Sequence, residues 1–155
     1  MKKSCLAVMV GFFIACSLSA HADQAPEDVF KAIVKVKAVI PKDARSASSL
    51  GTEREGSGVL IDSKGHILTI GYLVNEAETI EVFGSDEKAF SATLVGYDQN
   101  TGFGLLRVDK PLGVEPVKLG DASNLKAGDP VLVAGFGGAD AVQGGAVISR
   151  KEFAG

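Results

Sequence analysis

Side chains able to move protons, attack carbonyls or hold metals are sparse in this chain. It has two histidines, His21 and His66, and two cysteines, Cys5 and Cys16, in 155 residues. Zinc sites need three or four gathered His, Cys or carboxylate ligands, so this inventory argues against a metal centre. Ser63-Lys64 is an adjacent Ser–Lys pair, but neighbours on a turn or strand point apart, which argues against a nucleophilic dyad. Ser57, between Gly56 and Gly58, reads as a turn or strand-entry residue. Asp98, in the run Asp98-Gln99-Asn100-Thr101-Gly102, reads as a turn residue whose carboxylate satisfies nearby backbone donors. Gly135-Phe136-Gly137-Gly138 lacks the spaced glycines, the lysine and the following helix of a phosphate loop, and reads as a strand connection.

The elements that position these residues are short strands. Residues 30–40 alternate, with Val34, Val36, Ala38 and Ile40 on one side and Lys35 and Lys37 on the other, the period of a half-buried strand. Residues 23–28 read as a loose polar lead-in and residues 41–55 as an exposed loop. Gly56-Ser57-Gly58 opens the apolar run Val59-Leu60-Ile61. The turn at residues 62–65 then returns the chain through His66-Ile67-Leu68-Thr69-Ile70, which predicts a hairpin. Further strands are expected at 79–83, 90–95, 103–108, 130–134 and 141–149. Many Gly (19), no Trp and no long helical period indicate an all-β sandwich or barrel.

The N-terminus has the layout of a secretory leader: Lys2-Lys3, an apolar stretch at residues 6–18, then Ala20-His21-Ala22 before a cleavage point ahead of Asp23. The stretch is shorter than the ~20 residues that span a bilayer, and Phe13 ahead of Cys16 is a poor lipoprotein signal. Cleavage removes both cysteines and His21, so no disulfide is expected and His66 is the one remaining histidine. It leaves 14 basic against 19 acidic residues, a net charge near −5. That balance argues against nucleic acid, whose binding rests on cationic contacts to phosphate. No stable membrane insertion is expected after cleavage, and the periplasm is the expected location.

Several segments, in order, resemble trypsin-like serine proteases of the HtrA/DegP type. Residues Gly56-Ser57-Gly58-Val59-Leu60-Ile61-Asp62 and Gly65-His66-Ile67-Leu68-Thr69 resemble the family's first hairpin. Leu94-Val95-Gly96-Tyr97-Asp98, through Thr101, to Leu105-Leu106-Arg107-Val108-Asp109 resembles the segment that carries the catalytic Asp. Val117-Lys118-Leu119-Gly120-Asp121-Ala122-Ser123 and Leu125-Lys126-Ala127-Gly128-Asp129-Pro130-Val131 resemble the passage into a second barrel. The resemblance covers residues 29–149. It implies two antiparallel barrels with the active site between them, His and Asp from the first and Ser from the second. Accordingly, the expected organisation is a leader at 1–22, a first barrel at 23–119, and a linker with the first hairpin of an incomplete second barrel at 120–155. No cofactor is implied.

The catalytic positions depart from the family. In Thr69-Ile70-Gly71-Tyr72-Leu73-Val74, Tyr72 stands where the resemblance puts the His, and His66 lies six residues too early. Gly102 stands where it puts the Asp, and Asp98 matches an earlier, non-catalytic Asp. No Gly-x-Ser-Gly-Gly motif occurs. A serine nucleophile needs a base that titrates near working pH, as imidazole does at about 6.5, whereas a phenol with an ordinary pKa of about 10 is protonated at pH 7. Losing the orienting Asp alone typically costs ~10⁴ in turnover. The expectation is therefore a degenerate protease with a binding or quality-control role, its partners peptides or unfolded proteins, and with self-association through the unpaired hairpin at 130–149. The alternative is an active serine endopeptidase with a non-standard site whose Ser lies beyond residue 155.

Overall fold

Six antiparallel strands close on themselves in this chain, and every strand edge within the ring is paired. The computed structural model describes residues 26–150, so the leader at 1–22 and its cleavage point lie outside the described residues. The strands are β1 (Ile33–Val39), β2 (Glu53–Leu60), β3 (His66–Ile70), β4 (Thr79–Phe83), β5 (Ala89–Tyr97) and β6 (Phe103–Val108). They run in the order β1-β2-β3-β6-β5-β4, and β4 pairs back on β1. A separate two-stranded antiparallel sheet follows, β7 (Pro130–Ala134) with β8 (Val142–Ala146). The described residues are all-β in class, a closed six-stranded antiparallel barrel followed by a two-stranded hairpin.

Period-two alternation sets the inside of the barrel. Val34, Val36 and Ala38 of β1 are buried, while Lys37 faces solvent and pairs with Glu55 at 3.3 Å. Val82, Leu60, Ile67 and Leu106 fill the rest of the core from the facing strands. Each fully buried Val, Ile or Leu contributes about 1.5–3 kcal/mol. After β6 the chain wraps back, and Leu112, Val114 and Val117 pack on the same core. The Val117 amide donates to the Leu60 carbonyl at 3.0 Å.

Three short helices depart from the sequence expectations. Residues 26–31, expected as lead-in and strand start, form α1 (Pro26–Lys31), with Glu27 and Asp28 in its first turn and Lys31 in its last, the charge order that the helix dipole favours. The stretch expected as an exposed loop at 41–55 contains α2 (Ala47–Leu50), and its last three residues already belong to β2. Arg54, in that stretch, is only 6% exposed. The third helix, α3 (Gly71–Val74), follows β3 directly and plugs one mouth of the barrel with Leu73 and Val74. Strand β5 continues to Tyr97, two residues past the expected end, through a bulge between Leu94 and Gly96.

Candidate functional site

The rim around α3 is where the sequence-derived candidates meet. Tyr72 projects from α3 half-exposed, at 50%. Gly102 sits in the β5–β6 turn with φ +76°, a left-handed backbone that favours glycine. The Gly71 amide donates to the Gly102 carbonyl at 2.7 Å. Residues 31 positions apart are thus joined on one rim. The Tyr97 ring lies across Gly71, because a Cβ there would come within 2.1 Å of Tyr97 Cε2. Glycine at 71 therefore permits the close approach of ring to helix.

The helix carrying Tyr72 is held by a buried cation. Arg54 Nη1 donates to the Tyr72 carbonyl at 2.6 Å and to the Asn75 carbonyl at 3.4 Å. These are carbonyls at the C-terminal end of α3, which lack partners within the helix. Arg54 Nη2 donates to Ser46 Oγ at 2.7 Å, and Ser46 Oγ donates in turn to the Glu76 carboxylate. Backbone amides of Arg45 and Ser46 also donate to Glu76, at 3.2 and 3.0 Å. The Ser46 hydroxyl foremost, with those amides, holds the Glu76 carboxyl below the usual carboxylate range. Sequence reasoning missed this network, since a charged residue between Glu53 and Glu55 reads as surface. The two-residue alternation of β2, which puts Arg54 on the opposite side from both glutamates, was the available signal.

Gly56 makes room for α3 as well. A Cβ at Gly56 would meet Leu73 Cδ1 at 2.4 Å, so the glycine admits the buried Leu73. Ser57 is a strand residue of β2 with two fixed partners. Its carbonyl accepts from Thr69 Oγ1 at 2.8 Å, and its Oγ accepts the Phe136 amide at 3.0 Å. The glycine-rich run at 135–138 is the β7–β8 connection, and that bond docks it on the barrel. Lys35 Nζ lies 5.4 Å from the Phe136 ring centre and 5.0 Å from that of Phe83, within cation–π range of both. Between hairpin and barrel runs a groove of about 360 Å³, lined by Val59, Leu68, Ile70, Phe103 and Ala134.

The other candidates lie apart from the rim. His66 opens β3 at its far end, where its Nδ1 lies 2.7 Å from Asp62 Oδ2. Asp62 Oδ1 also accepts the Lys64 and His66 amides at 2.9 and 3.1 Å, locking the β2–β3 turn. The His66 ring, then its amide, draws the Asp62 carboxyl below the ordinary range. Ser63 and Lys64 are exposed in that same turn. Asp98 accepts from Thr101 Oγ1 at 2.7 Å and from the Asn100 amide at 3.0 Å, the turn role read from the sequence. The Thr101 hydroxyl is the main cause of its lowered pKa.

A closed six-stranded antiparallel barrel with a short helix at its mouth, facing a groove and a further hairpin, has the form of the first half of a trypsin-like peptidase. The family model for the trypsin-like peptidase domain matches residues 56–154, and the chain belongs to that family, in its HtrA/DegP type. A probable periplasmic DegP-like serine endoprotease of Pseudomonas putida (strain W619) is 38% identical over 113 residues, covering 72% of this chain and 23% of the relative. The periplasmic pH-dependent serine endoprotease DegQ of Escherichia coli (strain K12) is 29% identical over 164 residues, covering 85% of this chain and 36% of the relative. The periplasmic serine endoprotease DegP of the same organism is 35% identical over 95 residues, covering 59% and 20%. The chain thus spans between a fifth and about a third of the length of these relatives. All three are periplasmic, in agreement with the location expected for this chain. Among the described residues no helix is long and apolar enough to cross a membrane.

Proposed function

We propose that this chain is a catalytically degenerate HtrA/DegP-type protein whose barrel rim binds peptide segments or unfolded protein without cleaving them. One observation carries the reading: the Gly71–Gly102 hydrogen bond joins the two segments that, by resemblance, supply base and orienter, and there the rim offers a phenol and a bare backbone. A glycine cannot orient an imidazole, and a phenol is not the imidazole base that takes a proton from serine and returns it to the leaving group. What the rim does offer is contact area. Ile70 and Phe103 are paired neighbours on β3 and β6, each about half exposed, and Tyr72, also half exposed, follows two residues after Ile70 on α3. Aromatic side chains with one polar end are effective groups for gripping extended chains.

The test is reaction of the purified protein with a fluorophosphonate probe, alongside anisotropy titration with a fluorescein-labelled, permanently unfolded casein. The expected result is no covalent labelling, casein binding, and at least a fivefold loss of that binding in Tyr72→Ala. Labelling that maps to one serine and disappears on its substitution would overturn the proposal and support an active endopeptidase with a non-standard site.

A further inference from the structure

A second concavity, of about 540 Å³, opens between α1, the β4–β5 turn and the β7–β8 connection, away from Tyr72 and Gly102. Its volume falls within the range of clefts that hold small ligands and side chains. Phe30, Ile33 and Phe136 give it an apolar lining. Its charged groups are Glu27 and Lys31 of α1 and Glu87 of the β4–β5 turn. Lys31 is engaged by Asp28 at 2.9 Å. Glu27 makes no hydrogen bond or ion pair among the described residues and lies only within electrostatic reach of Lys31. The Glu87 carboxylate has no such partner either, and its residue holds φ +60° in a turn closed by the Glu87 amide on the Gly84 carbonyl at 3.0 Å. Counting Asp28 and Lys35, whose Nζ lies 5.4 Å from the Phe136 ring centre, the group carries a net charge of −1.

We infer that this concavity binds a peptide segment in which an apolar side chain stands next to lysine or arginine. The apolar side chain packs on Phe30, Ile33 and Phe136, and the cation meets the carboxylates of Glu27 and Glu87. An anionic ligand would meet a net negative edge whose cations are already engaged, Lys31 by Asp28 and Lys35 by the Phe83 and Phe136 rings. The inference does not rest on the reading of the rim, and the two sites fail separately.

The test uses two fluorescein-labelled nonapeptides with the same flanks, one with a Leu-Arg-Leu centre and one with Leu-Glu-Leu, titrated against the whole protein by anisotropy. Two exposed ion pairs predict roughly tenfold preference for the Arg peptide. The double variant Glu27→Lys/Glu87→Lys, at exposed positions, should reverse that preference while its circular dichroism stays unchanged. Equal binding of the two peptides, no binding of the Arg peptide, or a preference that survives charge reversal would overturn the inference.

Discussion

Replacing Arg54 by alanine should release the rim helix, and the size of the effect can be worked from its hydrogen bonds. The guanidinium is 6% exposed and makes two short bonds, 2.6 Å to the Tyr72 carbonyl and 2.7 Å to Ser46 Oγ, with longer ones to Gly51 and Asn75. Hydrogen bonds from a charged group contribute about 1.5–3 kcal/mol each. The two short ones place the cost of Arg54→Ala at about 3–6 kcal/mol, a large part of the 5–15 kcal/mol by which a domain is stable. Arg54→Lys keeps the charge but not the planar fork that reaches α3 and Ser46 together, so it should recover less than half. The protein has no Trp and two Tyr, Tyr72 on α3 and Tyr97 lying across Gly71. Tyrosine near-ultraviolet dichroism therefore reports on this rim alone. Urea titration should show a lower midpoint for Arg54→Ala with an unchanged slope, and the tyrosine signal should fall before denaturant is added. A variant within about 1 kcal/mol of the parent, with its tyrosine signal intact, would mean that burial of Leu73 and Val74 alone holds α3.

Asp62→Asn tests the turn lock through its pH dependence. His66 and its amide depress the carboxyl pKa in the folded state, so the stabilisation is present above the unfolded value of about 4 and is lost as pH falls through the lower folded value. The stability gap between parent and Asp62→Asn should therefore close as pH is lowered from 5 toward 2, and a gap independent of pH in urea titrations would refute the assignment. Ser57→Ala removes the acceptor for the Phe136 amide, a bond worth about 0.5–1.5 kcal/mol. Amide exchange should quicken at Phe136 and along β7–β8 while β1–β6 keep their protection; unchanged exchange at Phe136 would show that the Lys35 contacts suffice to dock the turn.

What could be read from the sequence and what could not divides by the range over which each signal acts. The inward face of β1 was legible because period-two alternation of Val34, Val36 and Ala38 against Lys35 and Lys37 is a local pattern that burial enforces. The turn at 62–65 was legible for the same reason: Asp62 closes it on residues two and four positions ahead. Helices α1 and α3 were not, since six and four residues are too few to establish a 3.6-residue period. At α1 the end signals were nevertheless present in Pro26, Glu27, Asp28 and Lys31. The pairing of Tyr72 with Gly102 came only through the order of matched motifs, because the bond that joins their segments is made by backbone atoms that carry no sequence signature. Arg54 shows the same limit from the other side. Its guanidinium is buried because it satisfies carbonyls contributed by residues 18 and 21 positions away, and a polar neighbourhood hides that role from any local pattern. The proposed degenerate site on a preserved barrel is consistent with this division of labour. The core needs Val36, Ile67 and Leu106 whether or not chemistry is done, and the network of Arg54, Ser46 and Glu76 holds α3 through backbone carbonyls, so it is indifferent to the side chain at 72. On the proposed reading, Tyr72 and Gly102 take the places of base and orienter without disturbing the packing that presents them.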